Sequence, residues 1–109
     1  MLEALLESPL KERILLFLLV NEGSYPREIA RNFGFNLNAV QYQLKKMERA
    51  GVLYSRVRGK VRLYGLDPRY PYRRELEALL RKAFDFLDAA ERDKHYIRRR
   101  RPRQAGKPL

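Results

Sequence analysis

The run Ile14-Leu15-Leu16-Phe17-Leu18-Leu19-Val20 is the one long apolar stretch in the chain, and everything else must be arranged around it. Seven residues fall far short of the roughly 20 that a bilayer-spanning helix requires, so no membrane partner is expected. Extended to Leu10–Asn21, the segment reads as a helix apolar around nearly its whole circumference, hence a central one. By length alone Ile14–Val20 could be a buried strand, but its leucine content favours helix. Ser8 suits the N-cap and Pro9 the first helical position, while Gly23 ends the element. Glu3, Glu7 and Glu12 precede the run where a secretory leader is basic, so a cytoplasmic chain is expected.

The flanking segments supply amphipathic elements to cover that helix. Leu2, Leu5 and Leu6 have the spacing of a short N-terminal helix. After Ser24-Tyr25-Pro26, residues Arg27–Phe33 place Ile29, Ala30 and Phe33 on one side, and Gly34 breaks the helix. Asn36 caps the next one, in which Val40, Leu44 and Met47 face inward before Ala50-Gly51 stops it. Val52–Val57 and Val61–Leu66 are short and β-branched, and Arg58-Gly59-Lys60 between them predicts a hairpin. A linker with Pro68 and Pro71 leads to a long helix from Tyr72 to about Ile97. Its stripe is Leu76, Leu79, Leu80, Ala83, Leu87 and Ala90, with Phe84 and Phe86 beside it. Unbroken, it would be about 39 Å long.

The turn between the two helices 27–33 and 36–50 has a steric signature. Ala30, Gly34 and Val40 stand as A-x3-G-x5-V. Steeply crossed helices need a small residue at the contact, one tolerant of unusual dihedrals in the turn and a β-branched anchor beneath. The pattern predicts a helix-turn-helix followed by a β-hairpin wing. The fold class is therefore mainly α with a small β-hairpin: a winged helix-turn-helix with an added long C-terminal helix and a short N-terminal helix. The chain divides into a DNA-binding domain over 1–71, a dimerisation helix over 72–97 and a basic flexible tail over 98–109.

Charge points to the partner. Lys and Arg number 24 against 13 Asp and Glu, a formal net charge of +11 at pH 7. Residues 24–75 hold twelve basic and four acidic side chains, and 91–109 hold eight and two, while the other segments are near neutral. A binder of polyphosphate backbone uses such a field. With no cysteine and one histidine, thiolate chemistry, a zinc site and a catalytic triad lack their parts. Glu28 and Glu48 have no base, nucleophile or metal to work with, so an enzyme is not expected, nor a cofactor.

At this point the chain resembles the ArsR-like winged-helix transcriptional regulators. The resemblance rests on Tyr25-Pro26-Arg27-Glu28-Ile29-Ala30, on Leu44-Lys45-Lys46-Met47-Glu48-Arg49-Ala50-Gly51-Val52-Leu53, and on the wing Arg56 to Tyr64. Leu66-Asp67-Pro68, Tyr70-Pro71 and Glu75-Leu76 add to it, so that it spans roughly residues 8–90. It implies a DNA-binding fold, a wing that reaches the minor groove or straddles phosphates, and dimerisation through terminal helices. Metal-sensing members carry cysteine clusters or several histidines, which this chain lacks, so no metal is expected. Asp93-x-His95 matches a pair found in some sensors, but without further ligands His95 is read as a surface histidine.

The inward stripe of the helix at 36–50 points Asn38, Gln41, Tyr42 and Lys45 outward. Asn and Gln can pair with adenine and Tyr can touch a thymine methyl, whereas Lys45 and Lys46 suit phosphate. Asn36 joins them at the helix start. Arg56, Arg58, Lys60 and Arg62 surround the hairpin tip, Arg58 and Lys60 foremost, although exposed cations also protect edge strands. Arg27 and Arg31 are candidate phosphate clamps, with Ser24 and Tyr25 offering further donors. Leu2, Leu5, Leu6, Leu76, Leu79, Leu80, Ala83 and Leu87 exceed what so small a domain covers, which predicts a two-fold homodimer interface; folding back onto the domain is the alternative. Arg98–Arg103 is either a solvated run or an arm on phosphate.

The reading is a homodimeric, sequence-specific double-stranded DNA-binding transcriptional regulator, a repressor, cytoplasmic and nucleoid-associated. Helix 36–50 would enter the major groove and the wing at 56–62 would lie on backbone or minor groove. A winged-helix RNA-binding or protein-interaction adaptor is the alternative.

Overall fold

The computed structural model describes residues 2–97. The chain runs α1 (Glu3–Leu6), α2 (Pro9–Asn21), α3 (Pro26–Phe33), α4 (Leu37–Arg49), β1 (Leu53–Arg58), β2 (Val61–Leu66), α5 (Arg73–Asp85), α6 (Ala89–Glu91) and a π-helical segment, Arg92–Tyr96. The segment 98–109, with its arginine run, lies outside the described residues.

α2 is the central element. Ser8 Oγ accepts a hydrogen bond from the Lys11 N–H at 3.0 Å and Pro9 opens the helix, as the sequence predicts. Ile14 through Leu19 are all buried, so the helix is apolar all round because it is surrounded. Its end differs from expectation by one residue: the left-handed turn begins at Glu22 (φ 57°) and continues through Gly23 (φ 119°). A Cβ on Gly23 would stand 3.3 Å from the Tyr64 carbonyl oxygen, which is why glycine belongs there.

α3 and α4 form the predicted crossed pair. Gly34 adopts φ 74° and the Phe35 N–H reaches back to the Ala30 carbonyl at 2.9 Å. Asn36 Oδ1 then accepts from the Ala39 N–H at 3.1 Å, starting α4. Ile29, Ala30, Val40, Leu44 and Met47 are buried beneath the crossing.

β1 and β2 pair antiparallel with Leu53 opposite Leu66, Ser55 opposite Tyr64 and Arg58 opposite Val61. The turn is two residues, with Gly59 at φ 63° in the first position, as a II′ hairpin turn asks of glycine. Ser24 adds a bridge to the outer edge of β2, its N–H and carbonyl exchanging bonds of 2.9 and 2.8 Å with Tyr64. This fastens the start of α3 to the hairpin.

The C-terminal helix is not continuous, which corrects the expected 72–97 rod. α5 stops at Asp85; Asp88 caps a new turn by accepting from the Glu91 N–H at 2.8 Å, and the π-helical segment follows. A straight helix would carry Tyr96 into solvent. The break brings it back to α2, where it is 1% exposed, with Phe33 and Phe84 ring centroids 5.4 and 5.8 Å away. Asn21 Nδ2 donates to the Tyr96 carbonyl at 2.9 Å. Burial pushes the Tyr96 phenol far above its ordinary pKa.

Folding back also reassigns part of the leucine surplus. Leu80 (0% exposed) and Ala83, expected at a dimer interface, belong to the protomer's own core, and Leu2, Leu6, Leu76 and Leu87 are partly buried against it. Leu5 and Leu79 remain exposed. His95 is not on the open surface: its ring stacks on Phe33 with centroids 5.3 Å apart, and Asn32 Nδ2 donates to its carbonyl. Among the described residues no group of His, Asp and Glu could hold a metal ion, and no helix is long and apolar enough to cross a membrane.

Candidate nucleic-acid interface

Burying Val40, Leu44 and Met47 turns the opposite stripe of α4 outward. Asn38, Gln41, Tyr42 and Lys45, at i, i+3, i+4 and i+7, occupy it. Asn38, Tyr42 and Lys45 are exposed and Gln41 partly so, while Lys46 extends beside Tyr42 with its ammonium 5.9 Å from the ring centroid. Asn36 is exposed as well, but its side-chain oxygen is committed to capping.

Gln41 and Lys45 face a cleft of about 270 Å³ between α4, the start of α3 and the outer edge of β2. Tyr25, Arg27, Lys60 and Arg62 line the other sides, together with Pro26, Val61 and Tyr64. Four cations and no carboxylate border this concavity, so its field is uniformly attractive to an anion. The N-terminal N–H groups of α3 add their partial positive charge at the same edge.

One hydrogen bond ties the hairpin to α4, and a second, within the hairpin, orients Arg62. Ser55 Oγ donates to Glu48 Oε2 at 2.6 Å and accepts from Arg62 Nη1 at 3.0 Å. Arg62 is thereby oriented while still exposed, and Glu48 at the base of α4 is turned toward the strands and away from the outward stripe. Burial raises the pKa of Tyr64, with the Glu48 carboxylate adding to the shift and Arg62 opposing it, so its phenol stays protonated at the cleft floor.

The structure divides the expected site residues. Tyr25, Arg27, Gln41, Lys45, Lys60 and Arg62 come together in the cleft; Asn38, Tyr42 and Lys46 continue its α4 wall outward. Arg31 is exposed and borders a neighbouring groove with Phe35 and Leu37, which Arg27 joins to the cleft by lining both. By strand register Arg56 and Arg58 project from the ribbon face opposite to Arg62. Arg56 borders a different cleft, of about 580 Å³, shared with the carboxylates of Glu22, Asp67 and Glu77. Ser24 is the clear correction. It is 0% exposed, its backbone groups are used by Tyr64 and its hydroxyl donates to Glu28 Oε1, so it has no donor to offer a ligand. Val61 and Tyr64 were not legible as site residues, because the edge bridge that places them beside α3 comes from one isolated residue.

Two helices crossed at a glycine, with an outward polar stripe beside a cationic hairpin, define a winged helix-turn-helix. In agreement, residues 7–54 match the winged helix-turn-helix DNA-binding family. A mutant of ZitR from Lactococcus lactis in its apo form is a structural neighbour at 16% identity, covering 84% of this chain and 78% of that one with a TM-score of 0.49. No curated protein matches the sequence.

Proposed function

We propose that the protein is a sequence-specific double-stranded DNA-binding transcriptional regulator of the ArsR-like kind, a homodimer acting as a repressor at the nucleoid. One observation carries this reading: the hydrogen-bonding stripe of α4 borders the same carboxylate-free cleft as the cations of α3 and β2. A surface that reads base edges must lie beside one that holds phosphates, since phosphate contacts set the register in which side chains meet bases. α4 enters the major groove with Asn38, Gln41 and Tyr42 toward the bases. Arg27, Lys45, Lys60 and Arg62 take the flanking backbone, and Arg58 extends the wing toward the minor groove.

The dimer rests on what folding back leaves uncovered. Leu79 within α5 is 38% exposed, and Tyr72 and Phe86, the cap residues at its two ends, each seven positions from Leu79, are 65% and 63% exposed. Leu5 is a further exposed apolar side chain. A second copy presenting the same stripe covers it by a two-fold interface.

The test is selection of bound duplexes from a random DNA pool. Affinities for the selected duplex, a scrambled duplex, a single strand and a structured RNA are then compared at one salt concentration. Preference for one duplex family supports the reading. Equal affinity for the two duplexes, or tighter binding to RNA, overturns it.

A further inference from the structure

α4 carries a single acidic side chain, Glu48, and it stands where electrostatics argues against it. It lies in the last turn of the helix, whose free carbonyl ends disfavour negative charge, and on an element that must approach a polyanion. Among the described residues it forms no ion pair, so neither cost is offset by Lys45 or Arg49 of the same helix. Its carboxylate instead takes the proton of a neutral side chain: Ser55 Oγ donates to Glu48 Oε2 at 2.6 Å and accepts from Arg62 Nη1 at 3.0 Å. By register Ser55, Arg62 and Tyr64 share one face of the ribbon. With its only proton held by the carboxylate in a charge-assisted bond, the hydroxyl can offer Arg62 nothing but lone pairs. The guanidinium has several N–H donors, and Ser55 engages one, which leaves the others for an anion in the cleft that Arg62 lines. A direct Glu48–Arg62 pair would neutralise the cation and set a carboxylate where the phosphate belongs. The interposed serine orients the guanidinium and keeps the carboxylate behind it.

We propose that Glu48 and Ser55 are positioning residues for Arg62, holding its guanidinium at the cleft in fixed register with the outward stripe of α4, ready for a DNA backbone phosphate. The inference rests on the DNA-binding reading above. A free arginine side chain loses rotamer freedom when it grips a phosphate, and one already held loses less. Because Glu48 belongs to α4 and Arg62 to β2, the relay also ties the phosphate contact of the hairpin to the helix that reads bases. Glu48 thereby works against simple charge counting. Removing a carboxylate from a DNA-facing element ordinarily tightens binding by relieving repulsion, whereas removing this one loosens it.

The test is a double-mutant cycle in the full chain: Glu48→Ala, Arg62→Ala and the two combined, titrated against cognate and scrambled duplex over a range of salt. Glu48→Ala is expected to weaken binding to both duplexes about three- to tenfold. It should also lower the salt slope toward the Arg62→Ala value, by up to about 0.9. Once Arg62 is alanine, the same change should have no effect or give a small gain. Tighter binding by Glu48→Ala in the parent background would mean that the carboxylate is only a repulsive charge, and would overturn the proposal. Equal losses in both backgrounds, the mark of a helix end merely destabilised, would overturn it too, as would an Arg62→Ala chain that binds like the parent. Ser55→Ala cuts the same link while leaving α4 and its carboxylate in place, and it decides the matter should Glu48→Ala fail to fold. It is expected to match the loss of Glu48→Ala, again only while Arg62 is present, and unchanged affinity would sink the relay. Duplex binding by the full chain with any of these contrary results refutes the relay alone; absence of duplex binding by the full chain refutes the reading beneath it.

Discussion

Neighbouring residues on α5 separate two roles that the sequence assigned to one stripe. Leu80 is 0% exposed and Leu79 38%. Leu80→Ala is expected to cost about 2–5 kcal/mol of stability, as the transfer loss and the cavity add, whereas Leu79→Ala should cost under about 1 kcal/mol; denaturant unfolding distinguishes them. Helical spacing holds for Leu76, Leu80 and Ala83 within α5, while Leu87 and Ala90 lie beyond its end at Asp85, and a period alone cannot say which side of a stripe meets its own core and which meets solvent. Tyr96 is a residue the sequence hid altogether, since its burial depends on a break eight to ten residues upstream. Below the ordinary tyrosine pKa of 10.0 its phenol is neutral whether folded or unfolded. Above it the unfolded chain ionises while burial keeps the folded phenol protonated, so the unfolded state binds fewer protons and stability falls as pH rises. Tyr96→Phe should flatten that alkaline decline in an unfolding series from pH 9 upward. A residual slope from Tyr64, whose pKa is also raised by burial, is expected to remain.

At the scale of elements, the caps and turns were legible because each is a local steric demand. Ser8, Gly34, Asn36 and Gly59 occupy the positions their residue types predict. What was not legible is orientation across elements. Arg58 and Lys60 stood foremost among the four cations near the hairpin tip, yet the register puts Arg62 in the cleft with Lys60 and turns Arg56 and Arg58 to the other face, Arg56 beside three carboxylates. Lys60→Ala and Arg62→Ala are therefore expected to weaken binding to cognate and scrambled duplex equally, each lowering the salt slope by about 0.9. Arg56→Ala should leave both slope and affinity nearly unchanged. Gln41→Ala behaves differently from all of these. Its loss is expected at one base position of each half-site, about 1–3 kcal/mol of discrimination, with the salt slope intact. Anisotropy titrations over a range of salt, on cognate and singly substituted duplexes, measure all four.

The whole molecule must reconcile a small core with a long reading surface. One protomer measures 44 × 35 × 26 Å and carries a single α4, whose outward polar stripe is Asn38, Gln41, Tyr42 and Lys45. Two protomers joined along the exposed side of α5 would present two such helices to one duplex. Each apolar group left in water on that stripe is an association liability, which pairing removes. Leu79→Glu with Phe86→Glu places like charges at the centre of such a seam without entering the protomer core, because both side chains are solvent-exposed. The double variant is expected to keep its unfolding midpoint at dilute concentration, to sediment as a monomer, and to bind an isolated half-site as the parent protomer does. On the full pseudo-palindromic site it should lose the gain that tethering two heads confers, of the order of 10²-fold or more. A variant that still sediments as a dimer would show that another face joins the protomers. A parent chain already monomeric at micromolar concentration would mean that the exposed stripe of α5 serves a different partner.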